Sequence, residues 1–258
     1  MKLTFIGRGG AFAPMSIGQS NMLFEENGKY MLLDCGMTAP YILTEEMGIK
    51  AQDIDAIYVS HCRADHVGGI EWLGFMNYFV GSASGNGDKR PTMFGVYEVL
   101  HGLWENSLKG GMGCIQGHVA TLSTYFKVEG VQKNQSFTWQ GWKFQPVQTL
   151  HVATGYSFQY SYGLLIENTK DSTKTTFITT DTQFTHPNPL QCFYDLSDTV
   201  FHDCETQYRS GVHAFYGDMK DKLDPATKEK IWLYHYNTKE DSDDGFAGWV
   251  EKGQVFVL

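Results

Sequence analysis

The sequence predicts an α/β protein built as a four-layer αββα sandwich, and two observations carry that prediction. Strand-length apolar runs alternate with turn signals over the first ninety residues and return from Val131 onward, with helical spacing beside and between them. Polar residues able to act as ligands stand at the ends of several of those strands, so two β-rich halves with helices outside would gather them along one rim.

The elements follow in order. Residues 3–6 open as a strand and lead into the glycine-rich turn Gly7-Arg8-Gly9-Gly10. Residues 21–25 and 30–34 flank the turn Glu26-Asn27-Gly28 as a hairpin. Helical spacing covers 37–47, and a half-apolar strand over 54–60 ends directly at His61. Residues 67–79 are again helical, which leaves His61 to His66 in a loop between strand and helix. A flexible Gly/Ser-rich loop at 81–88, a helix at 96–108 and a glycine break at 110–113 suggest a loop and helix insertion at about 81–125, placed to cap a site. Strand patterns then occupy 137–139, 142–144, 145–150, 157–167, 174–180, 199–203 and 231–234, with His151, Asp181, Asp203 and His235 at strand ends. The chain closes on a strand at 254–258. No Pro/Ser-rich linker or long charge block divides it, so one domain spanning 1–258 is expected.

Composition narrows the function. With 258 residues, 42% of them hydrophobic, the chain can bury a sizeable core. A net charge of -9 argues against a large nucleic acid, because counterion release needs clustered Lys and Arg. A small anion stays open, since a bound divalent cation would dominate its local field. No apolar run approaches the roughly 20 residues of a membrane helix. The start at Met1-Lys2-Leu3 leads into a strand rather than a signal peptide, so the expected address is the cytoplasm, with no membrane partner. Five cysteines without a CxxC pair fit reduced thiols.

His61, Asp65 and His66 fall within six residues, and His151, Asp181 and His235 join them at strand ends. Convergent nitrogen and oxygen donors of these kinds suit a divalent metal. Any one of them alone would be an ordinary polar residue, but the set points to a metal site for hydrolysis.

The stretch Ser60-His61-Cys62-Arg63-Ala64-Asp65-His66-Val67-Gly68-Gly69 resembles the HxHxDH signature of the metallo-β-lactamase superfamily. Residues 7–14, Leu32-Leu33-Asp34-Cys35-Gly36, Thr179-Thr180-Asp181-Thr182, His202-Asp203 with His213, and Leu233-Tyr234-His235-Tyr236 are similar to its tRNase Z-like branch, over nearly the whole chain. The resemblance implies one metal position at His61 and His151, another at Asp65, His66 and His235, and Asp181 as the bridge. It implies one or two Zn²⁺ ions, with Mn²⁺ as the alternative, and a hydroxide that attacks phosphorus or a carbonyl carbon. Asp203 and His213 would assist proton delivery to the leaving oxygen, with Asp65 and Arg63 as the other catalytic candidates. Residues 1–7 and 244–254 look most like small phage and bacterial phosphodiesterases of this branch, the anti-Pycsar family among them. That likeness implies a homodimer that hydrolyses a 3′,5′-cyclic nucleotide to the linear monophosphate, in a phage anti-defence role.

Arg63 stands where the signature has its second histidine, and a guanidinium has no lone pair to give a metal. Three outcomes stay open. One metal is held by Asp65, His66, His235 and Asp181 while Arg63 clamps a phosphate oxygen, which conserves the positive charge and is favoured for that reason. Alternatively Arg63 swings outward and a weaker second metal binds, or the site has lost turnover and only sequesters a cyclic nucleotide. A thioester or lactone hydrolase is a further alternative, against which the Asp203 and His213 pair speaks. The aromatics Tyr156, Phe158, Tyr160, Phe215, Tyr216 and Tyr236 are expected to pack in a core or interface rather than stack on a base. His101, His118 and His186 fit no ligand pattern.

Overall fold

Strands apolar on both faces need cover on both sides, and the chain supplies it with two seven-stranded sheets packed face to face and helices outside them. In the computed structural model, which describes residues 1–81, 88–171 and 173–258, the first sheet has the order β16 (Val255–Val257), β1 (Lys2–Phe5), β2 (Met22–Glu26), β3 (Lys29–Leu33), β4 (Ile54–Val59), β5 (Thr92–Val96), β8 (Lys127–Val131). The second has the order β15 (Gly248–Trp249), β14 (Ile231–Tyr234), β13 (Thr199–Asp203), β12 (Thr175–Ile178), β11 (Phe158–Asn168), β10 (Trp142–Ala153), β9 (Phe137–Trp139). A small hairpin, β6 (Cys114–Ile115) with β7 (His118–Val119), stands apart.

The two sheets repeat one pattern. From β16 three antiparallel pairings lead to β3 and three parallel ones continue to β8. From β9 three antiparallel pairings lead to β12 and three parallel ones continue to β15. Parallel strands end on the same side, so Asp34, His61, Asp181, Asp203 and His235 all stand at or just beyond the carboxyl ends of β3, β4, β12, β13 and β14. Ligands of open α/β sheets bind outside such ends.

Side-chain alternation explains the layers. Phe201 and Ile178 face the inter-sheet core, while their neighbours Val200 and Phe177 turn to the outer face, against Tyr194 and Met219 of the helices Gln191–Leu196 and Tyr216–Lys222. Between the sheets, Phe5 meets Phe201 at 5.1 Å and Tyr234 at 5.5 Å between ring centroids, and Phe24 meets Phe144 at 5.5 Å. All five cysteines are free thiols. Among the described residues no helix is long and apolar enough to cross a membrane.

Two local expectations change. Part of the segment expected as an insertion at about 81–125 is sheet: β5 is an internal strand paired with β4 and β8, and the helix Tyr97–Leu103 follows it. The loop expected over 81–88 lies, for 82–87, outside the described residues. The pieces 142–144 and 145–150 are one strand that runs on to Ala153.

Phe201 is fully buried among Phe5 and Phe256. Phe201→Ala is expected to cost about 3–5 kcal/mol. In urea denaturation the midpoint should fall with little change in slope, and an unchanged midpoint would remove these rings from the account of stability.

Candidate metal centre

The site is assembled by close backbone contacts. Asp65 and His66 lie in the first turn of the helix Ala64–Val67, not in the loop expected from the sequence. The Asn21 side-chain amide donates to the Asp65 carbonyl at 3.0 Å, and its oxygen accepts from the Gly36 amide at 2.6 Å. A Cβ on Gly36 would stand 1.9 Å from the Asp65 carbonyl oxygen, so only glycine lets the β3 turn approach this helix. His151 is not at a strand end. It is the extra residue of a bulge in β10, where the register with β11 shifts between Leu150 and Val152, and such a bulge re-aims a side chain. Asp34, Thr180 and His235 adopt left-handed backbone, at φ 64°, 53° and 70°, a conformation non-glycine residues hold only where surroundings enforce it.

The donor atoms of Asp65, His66, Asp181 and His235 lie within 4.8 Å of one another, and all four side chains are buried. His66 Nε2 stands 3.2 Å from Asp181 Oδ1 and 3.3 Å from Asp65 Oδ2. His235 Nε2 stands 3.4 and 3.6 Å from the same two oxygens. On the other side of Asp181, Oδ2 is 3.6 Å from His61 Nε2 and 3.7 Å from His151 Nε2. His213 Nδ1 is 2.8 Å from Asp203 Oδ2, which also accepts from the Thr182 amide at 2.8 Å.

Several of these atoms have no hydrogen-bond partner although they are buried: Nε2 of His61, His66 and His235, and both oxygens of Asp181. A buried unsatisfied group costs on the order of 1–3 kcal/mol, more if charged. A divalent ion is what such a set fits. The opposite ring nitrogens are already engaged, His66 Nδ1 by Asp34 at 2.8 Å and His61 Nδ1 by the Ser60 hydroxyl at 3.0 Å. Asp34 in turn accepts from the Ser60 hydroxyl and amide at 2.6 and 2.8 Å. This outer layer orients the rings as it does around metal-binding histidines generally.

Charge agrees. Burial disfavours the ionised forms of Asp65 and Asp181, yet the histidines around them outweigh it and hold both carboxyls well below the usual range. Burial likewise disfavours a charged His66, but Asp181 and Asp65 raise its pKa, so an arriving ion would displace a proton. Burial and the His66 charge lower His61, keeping its lone pair free.

His151 differs from the other three histidines. Its Nε2 is 3.2 Å from Arg63 Nη1, so the guanidinium points into the centre rather than outward. The donor atoms expected at the other position, from His61, His151 and Asp181, also lie within 4.8 Å of one another, and there His151 Nε2 faces the Arg63 guanidinium. Arg63, His213 and His235 line a cleft with Phe12, Tyr208 and Asn237. His101, His118 and His186 are exposed and take no part. Tyr216 and Tyr236 are buried, whereas Tyr156 and Phe158 are largely exposed, so core packing does not describe the latter two. Asp34 had no role assigned from sequence; its signal was an acid at a strand end, as at Asp203.

An ion that binds only the folded chain stabilises it by about 2.7 kcal/mol at a hundredfold excess over Kd, roughly 5–10 °C in Tm at this size. Zinc should raise the Tm of chelator-treated protein by that amount. Asp65→Ala should abolish the rise, and a rise that survives would move the ion elsewhere.

A family model described as anti-Pycsar protein Apyc1 matches residues 1–256. The chain is 28% identical to the anti-Pycsar protein Apyc1 of Paenibacillus harenae over 96% of this chain and 95% of that protein. It is 29% identical to the anti-Pycsar protein Apyc1 of Bacillus phage 010DV004, over 100% of this chain and 98% of that protein. Among solved structures it is similar to the metallo-β-lactamase fold protein YhfI from Bacillus subtilis, with a TM-score of 0.72, 20% identity and coverage of 99% and 98% of the two chains. That likeness identifies the two-sheet architecture as the metallo-β-lactamase fold. With the family model matching residues 1–256 of its 258, the chain belongs to the anti-Pycsar protein Apyc1 family.

Proposed function

We infer that the chain is a metal-dependent phosphodiesterase that opens a 3′,5′-cyclic mononucleotide to the linear monophosphate. The observation that carries this reading is the pair of His213 and Asp203 beside a cluster with the donors for a divalent ion, with His213 and His235 of that cluster bordering one cleft. The anti-Pycsar names of its relatives, one of them from a Bacillus phage, support an anti-defence role. A net charge of -9 supports a small substrate over a long nucleic acid. The family likeness adds a homodimer working in the cytoplasm.

Asp65, His66, Asp181 and His235 would hold the ion, zinc or manganese, which when bound supplies Lewis acidity toward a phosphoryl oxygen and the attacking water. The chain's own part is positioning and proton delivery. The Asp203 carboxylate fixes His213 through Nδ1 at 2.8 Å and leaves Nε2 as the nitrogen that hands a proton to the departing oxygen. Burial disfavours the charged imidazole, but Asp203 outweighs it and pushes the His213 pKa up to about 9, so the acid form prevails at neutral pH. A thioester substrate, whose thiolate leaves readily without protonation, has less need of that proton.

The Arg63 contact to His151 favours a second reading, capture of the nucleotide without turnover. One experiment separates the two: incubation of the zinc- or manganese-loaded protein with cyclic AMP, GMP, CMP and UMP, followed by chromatography. Linear monophosphate beyond one equivalent supports the enzyme, and retention of intact cyclic nucleotide at one equivalent supports capture. Turnover of a lactone or thioester alone would overturn both.

Two further outcomes follow from the proton donor. His213→Ala should lower kcat by about 10²–10⁴-fold. Because the donor must be protonated, the rate should fall as pH rises through about 9. Asp203→Asn should move that limb down toward the ordinary imidazole value of about 6.5, and an unmoved limb would assign the proton to another group.

A further inference from the structure

The position opposite Asp65, His66 and His235 across Asp181 is built around a guanidinium. Arg63 directly precedes the helix Ala64–Val67, and its carbonyl accepts from the amides of His66 at 2.9 Å and Val67 at 2.8 Å. The turn that fixes two metal-type donors thus also fixes the root of the Arg63 side chain. At its far end Nη1 lies 3.2 Å from His151 Nε2.

The tautomer of His151 decides what that contact means. Nδ1 lies 3.0 Å from the Val212 carbonyl, which can only accept, so Nδ1 carries the hydrogen. Nε2 is left with a lone pair, and arginine can only donate to it. One lone pair cannot serve an N–H and a metal together. Accordingly His151 Nε2 is satisfied while the Nε2 atoms of His61, His66 and His235 are not. Two free donors remain on that side, His61 Nε2 and Asp181 Oδ2, 3.6 Å apart, because His213 Nδ1, 3.9 Å from the same oxygen, is engaged by Asp203 at 2.8 Å. Catalytic zinc takes about three protein ligands.

The guanidinium has donors to spare, since one of its five N–H groups meets His151. Among the described residues lining the cleft, Arg63 is the one arginine or lysine. A planar fork of N–H groups matches two oxygens of a phosphate.

The geometry points to Arg63 as the replacement for a first metal ion: a one-ion centre in which a fixed guanidinium beside His151 takes the substrate's phosphate. The phosphate half rests on the phosphodiesterase reading, whereas the one-ion half rests on the donor count alone.

The test reads metal content and phosphate affinity, neither of which requires turnover. After zinc loading and desalting, the unaltered chain should retain about one zinc per chain and Arg63→His about two, because the imidazole adds a donor and frees the His151 lone pair. Arg63→Met keeps an unbranched stem without donors. Loaded with one equivalent of zinc, it should bind inorganic phosphate, followed by calorimetry beside the unaltered chain loaded in the same way, about tenfold more weakly. Melting curves check that both variants fold. Two zinc ions on the unaltered chain, one on a folded Arg63→His, or undiminished phosphate binding by Arg63→Met would each overturn the proposal. Loss of cyclic nucleotide hydrolysis with these results intact would instead remove the substrate reading and leave the one-ion centre standing.

Discussion

Neither oxygen of Asp181 has a hydrogen-bond partner, although the side chain is about as buried as any in the protein. A carboxylate taken out of water loses several kcal/mol of hydration unless positive charge surrounds it. Four histidines face it, from just beyond β4, the following helix, β10 and the end of β14, at 3.2 to 3.7 Å, and among them His66, whose pKa Asp181 and Asp65 raise, carries charge. Because these residues come from both sheets, the charge requirement of one side chain ties the two halves together at their rim, and the aromatic core between the sheets holds that rim in register. Burial and polarity therefore act jointly: packing makes the carboxylate costly, and the histidines make it tolerable.

Much of this was legible in the sequence because strands and ligands signal together. The apolar run of β14 ends and His235 follows at once; His61 follows β4 after one residue, and Asp181 follows β12 after two. Strands apolar on both faces must be covered on both sides, which is enough to call for two sheets with helices outside. Density within residues 61–66 did the rest, since three donor side chains in six positions are hard to explain by surface polarity.

What stayed hidden depends on register and direction. The bulge at His151 inserts one residue into a pairing between strands, and nothing in the residues Leu150-His151-Val152 announces it. Asp34 acts through a ring nitrogen of His66, a contact made across separate strand ends. The strand Thr92–Val96 is short, and its partners β4 and β8 lie far off in sequence, so it was taken for part of an insertion. The inward course of Arg63 was one of several the sequence allowed; only the position of His151 selects it.

The left-handed turns at Asp34, Thr180 and His235 have a consequence for motion. Each holds on the order of 1–3 kcal/mol of conformational energy, and Thr180, being β-branched, sits at the upper end. That energy is released whenever a turn detaches, so opening there costs less, by that amount, than the packing and hydrogen bonds of the turn alone would set. Amide exchange there would report brief excursions of the rim while the sheets beneath stay closed.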